Sequence, residues 1–245
     1  MLQIDDFLEL VRKRRSIRRF KSDPIPDEYV GKILEAARWA MSGANAQPWE
    51  FIVVKDQETK DKLADALHEQ RKTEYIMEQT RVEEIRHPGP TYDKGNKPTF
   101  NQAPVLIVVC GDRRTLVASV IAQNFDPGEG GLGGAYIKSM ANATQNIQLA
   151  AAALGLGSSW ISVAQSVEGI IKAILEVPDF LEVHTIVPVG YAAYEPSPVY
   201  RRELSEIVHS EKYDTGKCRS TDDIIAYLTK LRKRVGPGYR KAALH

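Results

Sequence analysis

Ile4, Phe7, Leu8 and Val11 recur at i, i+3, i+4 and i+7, the spacing that lines up apolar side chains on one face of a helix. A helix is therefore expected over residues 3 to about 14, running into the basic segment RKRRSIRRF. Pro26 with Asp27 and Glu28 is first-turn chemistry, because proline presets φ and the acids face the positive end of the dipole. Val30, Ile33, Leu34 and Ala37 then supply the buried stripe of a second helix, which Ser42-Gly43 is expected to stop. The run Trp49-Glu50-Phe51-Ile52-Val53-Val54 is apolar and β-branched, which suits a central strand.

Residues 57 to about 86 carry a polar, heavily charged helical pattern, and HPGPTYDKGNKP after them breaks regular structure with three prolines and two glycines. Ala103 to Cys110 reads as a second buried strand, Arg113 to Gln123 as a short helix, and DPGEGGLGG (126–134) as a flexible connection. From Ala135 to Leu154 the chain is alanine-rich, with Ile137, Met140, Ala141, Thr144, Ile147, Gln148 and Ala151 at helical spacing. Gly155 and Gly157 are expected to end that helix. A short helix near 167–175, a strand from His184 to Val189 and a C-terminal helix at about 222–232 complete the pattern. Three or four strands among more helix, with no repeat, give an α/β or α+β fold in one domain. The 135–154 helix is apolar on more than one face, which an oligomer interface would explain.

Composition adds exclusions. The 245 residues are 43% hydrophobic and 27% charged, an ordinary globular balance. Lys+Arg 33 against Asp+Glu 32 leaves a net charge of +1, which argues against a polyanion spread over the whole surface. The two cysteines, Cys110 and Cys218, lie in no metal-ligand spacing, which argues against a disulfide framework. The amino terminus has no apolar signal core, and no stretch approaches the ~20 apolar residues of a membrane span, so the chain is read as cytoplasmic with no membrane partner.

Chemistry concentrates in few places. Arg12, Lys13, Arg14, Arg15, Arg18 and Arg19 put six cations within eight positions around Ser16. Three readings stay open: a solvated helix end favoured by the dipole, a phosphate site in which arginine forks and the serine hydroxyl meet the oxygens, and a nucleic-acid surface, which would want more basic residues elsewhere and interleaved aromatics and which the near-zero net charge makes the weakest. Gly43-Ala44-Asn45-Ala46-Gln47-Pro48-Trp49 joins a helix to a strand with carboxamides suited to the edge of a heteroaromatic ligand, or merely to shaping the turn. No GxGxxG follows a strand and no GxxxxGK[ST] is present. The five histidines share no ligand spacing, so no metal is expected, and Ser158 and Ser159 in GLGSSW do not form a GxSxG elbow. An arginine cluster and a polar loop without an obvious acid, base or nucleophile favour a borrowed cofactor.

RRSIRRF (14–20), AARWAMSGANAQPWEFIVV (36–54), ANATQNIQLAAAALGLGSSWI (141–161), VPVGYA (187–192) and RRELSEIVH (201–209), in that order, together resemble the nitroreductase family of FMN-dependent flavoproteins. The resemblance covers most of the chain. It implies a three-layer α+β fold with a central, mostly antiparallel sheet flanked by helices, a single domain over 1–245 with a variable lid-like insertion at about 68–102, and an intertwined homodimer. FMN would be the cofactor and NAD(P)H the co-substrate, reducing a nitroaromatic, quinone or related conjugated small-molecule acceptor by ping-pong half-reactions.

Carried over by position, the resemblance implies that Arg14, Arg15, Ser16 and Arg18 contact the phosphate, ribityl chain and pyrimidine side of the ring. Ser42 and Asn45 lie in the loop that meets the ring or ribityl hydroxyls. Ser159, Trp160, Ile161 and Ser162 form the segment whose backbone N–H, at Ser162, lies near flavin N5, and no residue acts as a covalent catalyst. Arg201 or Arg202 reaches the phosphate, with Arg201 favoured by its distance to Leu204. The chain departs from the family where Met41-Ser42-Gly43 replaces proline-serine-serine and Ser162-Val163 replaces glutamate-glycine. Tyr75, Tyr92, Phe100 and Phe125 either cover a bound acceptor or pack the loops. The same fold also carries dehalogenation, dehydrogenation and flavin breakdown, and a non-enzymatic flavin- or nucleic-acid-binding protein is the alternative from a different class.

Overall fold

A computed structural model describes residues 3–83, 98–115, 132–196 and 199–234. The described residues fall into two compact units, residues 3–70 with 98–195 and residues 71–83 with 196 and 199–234.

In the first unit, α1 (Ile4–Lys13) carries Asp5 and Asp6 in its first turn and Arg12 and Lys13 in its last, each sign matched to the dipole. It buries no residue: Ile4, Phe7, Leu8 and Val11, its apolar stripe, are all exposed. The second helix, α2 (Asp27–Arg38), buries Val30, Ile33 and Ala37 and ends before the Ser42-Gly43 stop expected for it. Arg38 and the Trp39 indole both bond the Glu35 carboxylate there, tying down the last turn.

The sheet consists of β1 (Trp49–Val54), β2 (Val105–Gly111), β3 (Gly157–Ser158), β4 (Ile161–Ser162) and β5 (Glu182–Gly190), in the order β1-β2-β5-β3 with β4 also on β5. Every pairing is antiparallel. Because side chains alternate between faces, β2 splits its buried residues between two cores. Leu106, Val108 and Cys110 pack with Leu63, Ala64 and Leu67 of α3 (Gln57–Gln79) and with Val167 and Ile171. Val105, Ile107 and Val109 pack with α2 and with Tyr136, Met140, Ala143, Ile147 and Ala151 of α4 (Leu132–Ala153). Helices thus cover both faces of an antiparallel sheet, the α+β layering expected.

Several boundaries differ from expectation. The α3 helix stops at Gln79 rather than near 86. The last three residues of DPGEGGLGG open α4 instead of belonging to the connection, and the rest of that stretch and most of the 113–123 helix lie outside the described residues. Only Gly155 ends α4: its φ of +73° lets Leu156 N–H reach Ala151 O at 2.8 Å and Gly155 N–H reach Ala152 O at 3.0 Å, a left-handed cap. Gly157 lies in β3. The helix expected near 167–175, α5 (Gln165–Leu175), begins slightly earlier.

In the second unit, a short α6 (Leu204–Ile207) with a Glu203/Glu206 capping box precedes α7 (Thr221–Arg234). Tyr227 of α7 and the Lys230 ammonium both pack on Tyr200.

Candidate functional site

The basic segment after α1 is an extended strip laid along β3. Ile17 N–H donates to Ser158 O at 2.8 Å, and Ser16 pairs with Ser158 in a parallel bridge. Ile17 and Phe20 are buried anchors, while Ser16 and Arg18 are exposed. Arg18 is fixed through its backbone, its N–H donating to the Tyr194 hydroxyl at 3.4 Å and its carbonyl accepting from Thr99 Oγ1 at 3.0 Å. Arg14 caps α1 by donating to Leu10 O at 2.9 Å. Arg15 Nη1 donates back to Arg12 O and to Arg14 O, whereas its Nε is buried without a hydrogen-bond partner among the described residues. One part of this cluster therefore does serve the helix end, and another part is a buried donor left over.

Ser158 of β3 and Ser159 after it are buried and Trp160 is exposed, its indole N–H donating to Ser162 Oγ at 3.2 Å. Strand β4 then lies on β5: Val163 N–H donates to His184 O at 3.2 Å, and Ile161 O accepts from Thr185 Oγ1 at 2.8 Å. Since neighbouring backbone groups point to opposite edges of a strand, the Ser162 N–H faces away from β5. No further strand pairs with β4 on that side among the described residues.

The loop between α2 and β1 is strained. Ala44, Asn45 and Gln47 have φ of 53°, 54° and 47°, a region that asparagine tolerates but that costs residues such as Ala44 and Gln47 of the order of 1–2 kcal/mol each. Such strain persists only where the surroundings hold it. Within the loop, Ser42 Oγ accepts from Gln47 N–H at 3.1 Å. From α4, Ser139 Oγ accepts from Gly43 N–H at 3.2 Å, Asn142 Nδ2 donates to Met41 O at 3.0 Å, and Asn146 Nδ2 donates to Ala36 O at 2.9 Å. Residues 139, 142 and 146 form one face of α4. Sequence reasoning passed over them, and the only signal was a polar row on an otherwise apolar helix.

A second network sits where β5 bulges. Val109 faces Thr185 and Cys110 faces Val183, so His184 is the extra residue. His184 Nε2 lies 2.9 Å from the Tyr136 hydroxyl, and the Arg113 guanidinium is paired with Glu182 at 3.0 Å. Burial, aided by Arg113, holds the His184 pKa below its usual value despite Glu182 and Glu168, and burial raises the Tyr136 hydroxyl. The imidazole is therefore neutral near pH 7 and the phenol keeps its proton. Burial also pushes the Cys110 thiol to about 12, which removes it as a nucleophile.

In the second unit, Arg202 is occupied with α6, donating to Glu206 O at 2.7 Å, whereas Arg201 is exposed and among the described residues donates to its neighbour's carbonyl, Tyr200 O, at 2.9 Å. Of the lid aromatics, Phe100 is a core residue and Tyr75 is half-buried. Tyr92, Phe125 and most of the 68–102 insertion's loop lie outside the described residues. Among the described residues no group of His, Cys, Asp or Glu could hold a metal ion, and no helix is long and apolar enough to cross a membrane.

The chain matches the nitroreductase family over residues 11–191. A Methanothermobacter thermautotrophicus protein, provisionally named an NADH dehydrogenase/NAD(P)H nitroreductase, is 30% identical over 85% of this chain and 88% of its own. An iodotyrosine deiodinase from Thermotoga neapolitana is 28% identical over 79% of this chain and 92% of its own. The solved structure of an FMN-dependent nitroreductase from Clostridium difficile superposes with a TM-score of 0.60 at 27% identity, covering 84% of this chain and 99% of that one. With the basic strip, the β3–β4 turn and the strained loop all falling inside the matched span, the chain belongs to the nitroreductase family.

Proposed function

We propose that this protein is an FMN-dependent oxidoreductase that takes a hydride from NAD(P)H and delivers it, with a proton, to a nitroaromatic, quinone or related conjugated acceptor. The observation that carries the reading is the outward Ser162 N–H on the open edge of β4, one turn of chain from the strip that bears Arg14, Arg15, Ser16 and Arg18.

The residues fit that cofactor. A buried Arg15 Nε without a partner is a donor awaiting an anion, and guanidinium forks beside a serine suit a phosphate. FMN bound there would supply two-electron, hydride-transfer chemistry. Arg14, Arg15 and Ser16 bind phosphate and ribityl oxygens. Of Arg201 and Arg202, Arg201 is the candidate phosphate ligand, because its guanidinium is less engaged. Arg18 would supply positive charge to stabilise the reduced ring. Ser42 and Asn45 meet the ring edge from the strained loop. Ser159, Trp160 and Ile161 carry the Ser162 N–H toward N5.

The functional unit is a homodimer in this reading. The exposed stripe Ile4, Phe7, Leu8 and Val11 is an apolar helix face of the kind that a second copy covers, and Trp39, Met41 and Ile137 are exposed as well. The whole chain works as one domain in the cytoplasm, with neither membrane nor nucleic acid as partner.

Absorbance spectroscopy of the protein supplemented with FMN, titrated anaerobically with NADH and NADPH, tests the reading. Flavin bands that bleach are expected. Bound flavin that neither nucleotide bleaches would move the assignment to other chemistry of the family, dehalogenation among it. Unchanged FMN affinity in R14A, R18A and R201A alike would overturn the site.

A further inference from the structure

The Ile161 carbonyl and the Ser162 N–H belong to one peptide unit. That unit is planar and trans, so its C=O and N–H point in opposite directions. Whatever aims the carbonyl therefore aims the N–H. Thr185 Oγ1 donates to that carbonyl at 2.8 Å from a fully buried side chain on β5.

The grip on this peptide is unusual for a sheet. Strand β4 is two residues long, too short for its own ladder to fix an orientation. Immediately beside Thr185, β5 bulges at His184, and the bulge is locked by the Tyr136 hydroxyl at 2.9 Å from the imidazole. The His184 carbonyl in turn accepts the Val163 N–H at 3.2 Å. The buried hydroxyl and the locked bulge thus hold β4 from consecutive residues of β5. A hydrogen bond accepted by the carbonyl also polarises the peptide and makes its N–H a better donor.

Resting on the FMN site proposed above, we propose that Thr185 is a positioning residue: its hydroxyl orients and polarises the Ile161–Ser162 peptide so that the Ser162 N–H meets the reactive nitrogen of the flavin. The residue touches no ligand itself. It acts only through the peptide it holds, and a hydroxyl is required where a sheet interior would otherwise accept valine.

The test compares T185V, which keeps the shape and removes the hydroxyl, with T185S, which keeps the hydroxyl. Oxidised FMN added to apoprotein is expected to bind T185V roughly three- to tenfold more weakly than the parent, the range of one hydrogen bond, and T185S within twofold of it. In stopped-flow reduction by the better nicotinamide, T185V should lower the limiting rate while leaving the half-saturating nucleotide concentration unchanged. Should T185V not fold, T185A against T185S isolates the hydroxyl in the same way. Equal FMN affinity in the hydroxyl-bearing and hydroxyl-free variants would overturn the inference while leaving the FMN reading intact. A parent protein that binds no FMN would overturn both.

Discussion

Gly157 and Ile17 approach so closely that a Cβ on the glycine would stand 2.6 Å from Ile17 Cγ1 and 2.9 Å from its Cβ. The contact lies directly beneath the Ser16–Ser158 bridge, so the absence of a side chain at 157 is what lets the basic strip lie against β3. G157A should cost about 1–3 kcal/mol through overpacking, lowering Tm by about 2–10 °C for a chain of this size. FMN affinity should fall along with it, because the strip must shift. A melting curve superimposable on the parent's would show that Ile17 gives way at no cost.

The left-handed residues of the 42–47 loop respond to side-chain shape. Ala44, at φ 53°, should accept glycine with a change within about 1 kcal/mol, since relieved strain offsets the added freedom of the unfolded chain. Asn45, at φ 54°, should not accept valine, which is disfavoured there; N45V is expected to cost about 1–2 kcal/mol by guanidinium unfolding. Equal stability of the two variants would count against the strained geometry.

Asn142 holds that loop from outside through the Met41 carbonyl. N142A removes this bond to an exposed carbonyl that water can take up, and should lower stability by no more than about 1 kcal/mol. Its larger expected effect is on FMN affinity, tested by fluorescence titration, because Asn45 loses the support that keeps it in place. A variant that loses stability but binds FMN like the parent would separate the loop from the ligand.

His184 gives the stability a pH dependence. Its native pKa lies below the unfolded value of about 6.5, so as pH falls through 6.5 the unfolded chain takes up a proton that the native state refuses. Stability therefore falls with decreasing pH down to the native pKa, and is unaffected by this group above 6.5. The Tm of the parent should drop between pH 7.5 and 5.5 by more than that of H184Q, whose amide can still bond Tyr136 but does not titrate. Parallel curves would exclude His184 as the cause.

Long elements were readable because their periodicity extends over many residues. The expected strand at 49–54 matches β1, since an unbroken apolar and β-branched run has few other uses. The expected helix from 135 is α4, with Tyr136, Met140, Ala143, Ile147 and Ala151 on its buried side. The two-residue strands β3 and β4 left no such trace, because two residues have no period and their conformation is imposed by β5. Gly157 was misread as a helix stop for a related reason: a glycine demanded by a partner far along the chain looks, locally, like any other glycine. Candidate ligand contacts such as Arg14, Arg18 and Asn45 announced themselves by charge or by motif. Thr185, Ser139 and Asn142 did not, since a threonine inside a strand and two polar residues on a helix are ordinary until their hydrogen bonds are seen.

Ser16 and Ser158 are about 140 residues apart in sequence, yet their backbones are joined by a bridge. A contact of that span closes one of the longest loops in the chain, and its entropy is lost before any ligand rewards it. Because the strip bearing the arginines pairs with β3, which itself pairs with β5, we expect it to dock late in folding. The same ordering operates in reverse. In native-state hydrogen exchange the Ile17 amide, bonded to Ser158 O at 2.8 Å, reports the opening of the basic strip, and a ligand held by that strip would slow this amide before it slowed the interior of β2.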